Sequence, residues 1–397
     1  MAKLDKTIAA TMLAGMCTFL NVYCTQPLLP LLRHVFHASE LEVSLTVSAT
    51  IFATALTAPL IGMIAERRGR KRIIVPSLFL LTIPTALAAT STSLGALIFW
   101  RFMQGLFVPG VIAVILAYVN EEWAGRGVGR AMSSYVAGTV LGGFLGRFIS
   151  GVIATHWNWR AAFLVLAALN LIGAVMVRAW LPLAKNFVRA EDLRQVLDHA
   201  RQHLRNPRLL ANFGMGATAL FALVGCFTYA NFYLAASPFR LDSAQLGSIF
   251  FVYLLGVVVT PQSGRFLDRF GFRHTTLFYT AMMIAGILLT LVKSLPVVIT
   301  GLAIFSSGVF IAQAAATVQT GAIAGRARSS AAGLYVTFYY LGGSAGATLT
   351  DWFWRWKGWP GCVVLFAAVS LISLGFARMS SRPLDQLDSA EIELVGD

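Results

Sequence analysis

The chain has 397 residues, of which 57% are hydrophobic and only 12% charged, with a formal net charge of +14. A soluble domain carries about 25% charged residues, so most of this chain has no water to face and a water-soluble enzyme is excluded. The positive charges sit in short clusters between apolar runs, a pattern of loops against anionic lipid, which argues against nucleic acid as a partner.

From the N-terminus, MAKLDK precedes an apolar run that has no small-residue cleavage site and continues through Leu28 and Leu29 to Pro30. It is predicted as a first transmembrane helix, not a removable signal. A bilayer core takes about 20 apolar residues per helix. Twelve spans are predicted, near 8–32, 43–64, 73–90, 94–119, 131–154, 160–181, 209–236, 245–264, 275–292, 295–320, 330–353 and 359–377. An even number puts both termini on one side. Loops after even-numbered spans carry Arg67, Arg68, Arg70, Lys71, Arg72, Arg126, Arg130, Arg265, Arg269, Arg273, Arg326 and Arg328. The opposite loops hold far fewer cations, so both termini and the central loop are expected in the cytoplasm, with the chain in a bacterial-type inner membrane.

The chain repeats itself. Residues 62–72 read GMIAERRGRKR and residues 264–274 read GRFLDRFGFRH, each with a Pro three residues upstream of its first Gly (Pro59, Pro261). Gly142, Gly143 and Gly146 of the fifth span recur as Gly342, Gly343 and Gly346 of the eleventh, where they would let helices approach closely. The edge HWNWR at 156–160 recurs as WKGWP at 356–360. Such repetition indicates two homologous membrane halves. The expected organisation is a six-helix bundle over 1–181, a linker over 182–208, a second six-helix bundle over 209–379 and a cytoplasmic tail over 380–397. In the linker, Leu193, Val196, Leu197 and Leu204 fall at helical spacing, which predicts an amphipathic surface helix.

The four cysteines (Cys17, Cys24, Cys226, Cys362) lie in or beside apolar runs and are read as packing residues without metal-ligand spacing. All six histidines fall in predicted loops, so none serves as an intramembrane proton relay. No Asp or Glu lies mid-span: Glu121 and Glu122 end the fourth span, Asp351 comes near the end of the eleventh, and Glu40, Glu42 and Asp242 stand at outer edges. No Gly-x-x-x-x-Gly-Lys-Ser/Thr loop occurs, so ATP is not the direct energy source. No convergent set of nucleophile, acid or metal ligands occurs either, so no catalytic residue, metal site or cofactor is expected.

In the 62–72 loop, Gly62 and Gly69 permit a tight backbone, while Glu66 and Arg67 sit where an acid can face a helix N-terminus and a base a helix C-terminus. The loop resembles the signature Gly-x-x-x-Asp-Arg-x-Gly-Arg-Arg between helices two and three of the major facilitator superfamily. Gly62, Glu66, Arg67, Gly69, Arg70 and Lys71 match it, with Glu66 one methylene longer than the usual Asp. The second copy keeps Gly264, Asp268, Arg269, Gly271 and Arg273. The resemblance implies a charge latch that breaks when the cytoplasmic side opens. Arg101, Gln104 and Gly105 resemble the family's Arg-x-x-Gln-Gly motif of helix four. An Arg in a membrane helix costs several kcal/mol unless it meets a polar cavity or partner, or snorkels to the interface. Arg147, after GGFLG, either reaches into a central cavity or binds a backbone carbonyl at a helix end. The chain lacks the Gly-Pro that antiporters of the family often carry nearby. The stretch YCTQPLLPLL at 23–32 resembles the efflux-like, YnfM-type branch.

Helices one, four, seven and ten line the cavity in that family. Candidate cavity or coupling residues are therefore Asn21, Gln26, Arg101, Gln104, Arg147, Tyr229, Asn231, Gln313, Tyr335 and Tyr339. Tyrosines near span ends can equally belong to the interfacial belt. The fold expected is all-α, twelve transmembrane helices in two pseudo-symmetric bundles. The resemblance implies a monomeric secondary transporter of a small-molecule substrate in the lipid bilayer, working by alternating access. The expected activity is export of drugs, metabolites or sugars driven by the proton gradient. Uptake of a polar or anionic solute, or a sensor on a transporter scaffold, are the alternatives.

Overall fold

A computed structural model describes residues 2–123, 128–184, 201–324 and 328–381. Every regular element among them is helical. The first span is Ala2–Val22, a 3-10 turn at Gln26–Leu28 and Leu29–Phe36; the second is Glu40–Arg68 and the third Lys71–Ala88. The fourth is Leu94–Phe107 continued by Pro109–Glu122, the fifth Val128–His156, the sixth Trp159–Trp180 and the seventh Pro207–Ala235. The eighth combines Ser243–Ile249, a 3-10 turn at Phe250–Leu254 and the start of Leu255–Leu289. That last helix turns at Gly271, with φ 75°, and continues as the ninth span. Leu295–Ile323, Arg328–Lys357 and Trp359–Ser380 complete the set. Among the described residues, ten segments are long and apolar enough to cross a bilayer by length and hydropathy. The eighth, broken by its 3-10 turn, and the eleventh, diluted by Gly, Ser and Tyr, bring the traverses to the twelve expected.

Local chemistry sets the span starts on the face that carries the short loops at 37–39, 90–93 and 157–158 (the loop face). Ser39 and Glu42 form a reciprocal capping box: Glu42 N–H donates to Ser39 Oγ at 3.3 Å and Ser39 N–H to Glu42 Oε2 at 2.7 Å. Ser93, Asn158 and Asp242 cap the fourth, sixth and eighth spans through Ala96, Ala161 and Gln245 N–H.

The repeat is written in backbone contacts. A Cβ added at Gly142 or Gly146 would strike the carbonyl oxygens of Met16 and Leu20 on the first span. A Cβ at Gly342 or Gly346 would strike those of Ala217 and Phe221 on the seventh. Span five therefore packs on span one as span eleven packs on span seven, backbone to backbone. Gly138 extends the first stripe by one turn, against Met12 O. Gly143 lies off it, a Cβ there meeting only Arg147 Nη1 of its own helix at 3.3 Å, and Gly343 meets side chains of Leu220 and Ile51. All four cysteines are buried and unpaired. The predicted linker helix and the tail fall largely at 185–200 and 382–397, outside the described residues.

Candidate functional site

The first span breaks at Tyr23–Thr25, and the break creates the N-terminal half's polar centre. Val22 ends one helix and Gln26 begins a 3-10 turn, so carbonyls of the last turn lose their helical donors. Arg101 of the fourth span, fully buried, supplies replacements for two of them, Asn21 O and Val22 O. Its Nε donates to Thr46 O at 2.9 Å, Nη1 to Asn21 O at 2.8 Å and to Gln104 Oε1, and Nη2 to Val22 O. Gln104 Nε2 donates to Thr85 Oγ1 at 3.1 Å, and Thr85 donates to Asn21 Oδ1 at 3.2 Å. Asn21 Nδ2 reaches Cys17 O at 2.8 Å and Asn170 Oδ1 at 3.3 Å. Asn170 in turn donates to Leu78 O and Thr82 Oγ1. Arg101, Gln104 and Asn21 thus form one buried network tying five spans of this half together, with Arg101 neither snorkelling nor on an open wall. Asn170, Thr85 and Thr46 are members that the sequence did not single out; an isolated polar residue within an apolar span is the signal that could have found Asn170.

Arg147 has a different setting. It comes from the fifth span, is 2% exposed, and lies where the two halves meet. Nη1 donates to Gly143 O at 2.6 Å and Nε to Gln26 Oε1 at 2.7 Å. Gln26 Nε2 donates across the seam to Thr228 Oγ1 of the seventh span at 3.1 Å. The guanidinium carbon lies 4.5 Å from the ring centre of Tyr23, 4.4 Å from Phe250 and 5.0 Å from Tyr253. Phe250 and Tyr253 belong to the 3-10 turn of the eighth span, in the other half. A delocalised cation over several ring faces is a favourable, weakly hydrated arrangement. The carbonyl that Arg147 binds, Gly143 O, lies within its own helix and not at the helix end expected, and the same side chain holds a position between the halves.

The halves are also joined nearer the loop face. A Cβ at Gly151 would strike Ser243 O, and one at Gly247 would press on Arg147 O. Ala244 N–H donates to Thr155 Oγ1 at 3.0 Å. Ser48 and Ser344 face each other, hydroxyl to hydroxyl, at 2.8 Å.

The remaining candidates are spread over the second half. Tyr229 is buried and its hydroxyl donates to Asp351 Oδ1 at 3.3 Å. Asn231 is buried and donates to Phe227 O in its own helix. Tyr335 and Tyr339 stack, with ring centres 5.9 Å apart, and Tyr335 OH contacts Gln313 O at 3.5 Å.

Of the signature-loop residues, Gly69 and Gly271 both adopt positive φ, 89° and 75°, so the two copies share the backbone turn that favours glycine. Arg70 forks onto Glu121 at the end of the fourth span, Nη2 to Oε1 at 2.6 Å and Nε to both oxygens at 3.2 Å. Lys71 Nζ donates to Arg178 O at 2.9 Å. Arg269 and Arg273 are exposed. The side chains of Glu66, Arg67 and Asp268, and the surroundings of Gly62 and Gly264, lie outside those described. Arg70→Gln is expected to lose about 1 kcal/mol of stability, since the fork is bidentate but only part-buried. Thermal unfolding at two salt concentrations would check it, the difference from wild type shrinking at high salt.

Two six-span bundles, related by an internal repeat and meeting at a buried cation, define a multi-pass membrane transport protein. The family model of the Major Facilitator Superfamily matches residues 11–347. An uncharacterized transporter of Buchnera aphidicola subsp. Schizaphis graminum is 31% identical over 377 residues, 94% of this chain and 91% of that protein. The inner membrane transport protein YnfM of Escherichia coli (strain K12) is 34% identical over 363 residues, 91% of this chain and 87% of that protein. Among solved structures, a bacterial homolog of the human lysosomal transporter Spinster, inward-facing and occupied, superposes with a TM-score of 0.76 at 14% identity, covering 97% of this chain and 98% of that one. The nucleoside transporter NupG gives 0.77 at 14% identity, covering 93% and 99%. At that identity the solved structures speak for the fold. The chain belongs to the major facilitator superfamily and is a membrane transporter, not an enzyme.

Proposed function

We propose that this transporter exports a small solute across a bacterial inner membrane by alternating access, in exchange for protons, as a monomer with both termini and the central linker in the cytoplasm. The loop face is then the outer one, and the contacts that zip it shut correspond to a state open toward the cytoplasm. One observation carries the reading. Arg147 and Gln26 form a buried polar link from the fifth span through the first to Thr228 of the seventh, where a solute held between the halves would have to pass. Sites at the meeting of two repeats are where alternating access places its substrate.

A second reading, uptake of a small anionic solute, is favoured by the same residue. The partners described for Arg147 are an amide, a carbonyl and three rings, all uncharged, which leaves its positive charge for an anion to balance. Proteoliposomes with a pH-sensitive dye, offered sugars, organic anions and cationic dyes, separate the two. In exchange, protons run opposite to the solute, so solute entry raises the lumenal pH; in symport they run with it, so solute entry lowers the lumenal pH. Arg147→Gln is expected to cut flux at least roughly tenfold, a change of about 1.4 kcal/mol, while the variant stays monodisperse. Wild-type flux in that variant would refute the central role of Arg147.

A further inference from the structure

One buried carboxylate stands apart from the networks above. Asp351, six residues before the end of the eleventh span, is 1% exposed. Its Oδ1 accepts from Tyr229 OH at 3.3 Å, and its Oδ2 faces Arg355 Nε one turn further on. Arg355 is 61% exposed and so pairs with Asp351 from the solvent side.

The other charged or titratable groups facing Asp351 come from each element packed on it. Tyr229 belongs to the seventh span and Cys362 to the twelfth. Glu40 and Ser44 belong to the second span, in the opposite half: Glu40 lies within electrostatic range of the carboxylate, and Ser44, whose hydroxyl donates to Glu40 O at 2.7 Å, lies beside the Tyr229 phenol. Glu40 is itself paired with Arg33 at 2.9 Å, and Glu42 accepts from the Ser39 N–H and hydroxyl. Among the described residues Asp351 therefore has one cation at hand, an exposed one, while the opposite half brings a further negative charge. A buried ionised carboxylate is stable only when its charge is compensated.

The second span contributes the lid. Ser44 and Glu40 sit within its first turns at the loop face, and Ser48, one turn deeper, is bonded across the seam to Ser344 of the same eleventh span. Parting the halves at this face would carry Glu40 and Ser44 away and let water reach Asp351.

We propose that Asp351 is a proton-binding site that couples protonation to closure of the loop face. The carboxyl takes its proton from the loop-face solution before the second span covers it, holds it while covered, and returns it when that span moves off and water can solvate the charge. Closure therefore takes up a proton and opening releases one, so acid favours the closed loop face and alkali the open one. The inference rests on the alternating-access reading, though not on the direction of transport.

The test uses the full chain in lipid nanodiscs with spin labels at two exposed loop-face positions in opposite halves, Trp157→Cys and Lys293→Cys, followed by double electron–electron resonance from pH 5 to 9. The native cysteines, all buried, are checked for labelling in the parent chain. Wild type is expected to shift from a short to a long distance as pH rises. Asp351→Asn, which keeps the shape of the neutral acid, is expected to stay short at every pH. Asp351→Glu should respond with a displaced midpoint. Arg355→Gln removes the cation that favours the ionised form, so its midpoint should move to higher pH. A wild type indifferent to pH, or an Asp351→Asn variant with the wild-type response, overturns the proposal. Flux in proteoliposomes is read in parallel. If solute flux ignores the proton gradient while the loop face still answers pH through Asp351, the proton-exchange reading fails and the coupling role of Asp351 stands. If flux follows the proton gradient while the loop face ignores pH, the role of Asp351 fails and proton exchange stands.

Discussion

Arg101→Ala is expected to lower the stability of the solubilised protein by at least about 4 kcal/mol. The guanidinium is the donor to three carbonyls, Asn21 O, Val22 O and Thr46 O, and to the Gln104 amide oxygen. Truncation leaves three buried acceptors, Asn21 O, Val22 O and Gln104 Oε1, without that donor, each costing about 1–3 kcal/mol unpaired, and opens a cavity beneath the broken helix; Thr46 O keeps the Thr50 hydroxyl. At roughly 2–4 °C per kcal/mol for a large domain, the unfolding midpoint should fall by about 10 °C. Arg101→Lys keeps the charge without the planar fork and should recover only part of the loss. The measurement is thermal unfolding in detergent, followed by size-exclusion. An unchanged midpoint in Arg101→Ala, with flux lost, would return Arg101 to the cavity wall that the sequence motif suggested.

Gly142→Leu is expected to prevent formation of a monodisperse N-terminal half. Its Cβ alone would collide with Met16 O, and both contacting groups are helix backbone that cannot swing away. Overpacking costs typically about 1–3 kcal/mol even where side chains can adjust. Gly342→Leu should fail in the same way against Ala217 O. Gly375→Ala is the control: nothing lies within 4 Å of its added methyl, and alanine favours the helix by about 1 kcal/mol. The monodisperse fraction in fluorescence-detected size-exclusion reads all three. A Gly142→Leu protein eluting like wild type would mean that spans one and five do not touch as closely as described.

These two residues show where the sequence was readable. The glycine stripe was visible because it recurs in the same register half a chain later, and repetition needs no knowledge of partners. Its composition was less visible: Gly138 belongs and Gly143 does not, because membership depends on a four-residue stripe that only the facing helix defines. Arg101 was legible as an exception in an apolar run, but not its partners. Two of these, Asn21 O and Val22 O, are available because the first span breaks at Tyr23–Thr25, and nothing in YCTQP marks which carbonyls the break frees. Asp351 read as an end-of-span acid; its partner Tyr229 and the neighbouring charge of Glu40, on the other half, are both distant in sequence. The signature loop was legible twice over, and Gly69 and Gly271 share its backbone turn because that turn suits glycine far better than other residues. Asn170 and Thr85 escaped notice because a single amide or hydroxyl in a span is as compatible with bonding to its own helix as with bridging to another.

The serine pair at the seam bears on how often such a molecule can cycle. Ser48 and Ser344 each carry a hydroxyl able to give or to accept, and they meet only each other and each other's backbone oxygens. Pulled apart, each can take a water in place of its twin, and a hydrogen bond exchanged for one to water changes the free energy by only about 0.5–1.5 kcal/mol. A leucine zipper at the same place would strand apolar surface at every opening, and an ion pair would strand charge. Hydroxyl against hydroxyl behaves as a wet-or-dry joint with nearly level ends, so fatigue-free reversal is built into the surface where the two halves let go.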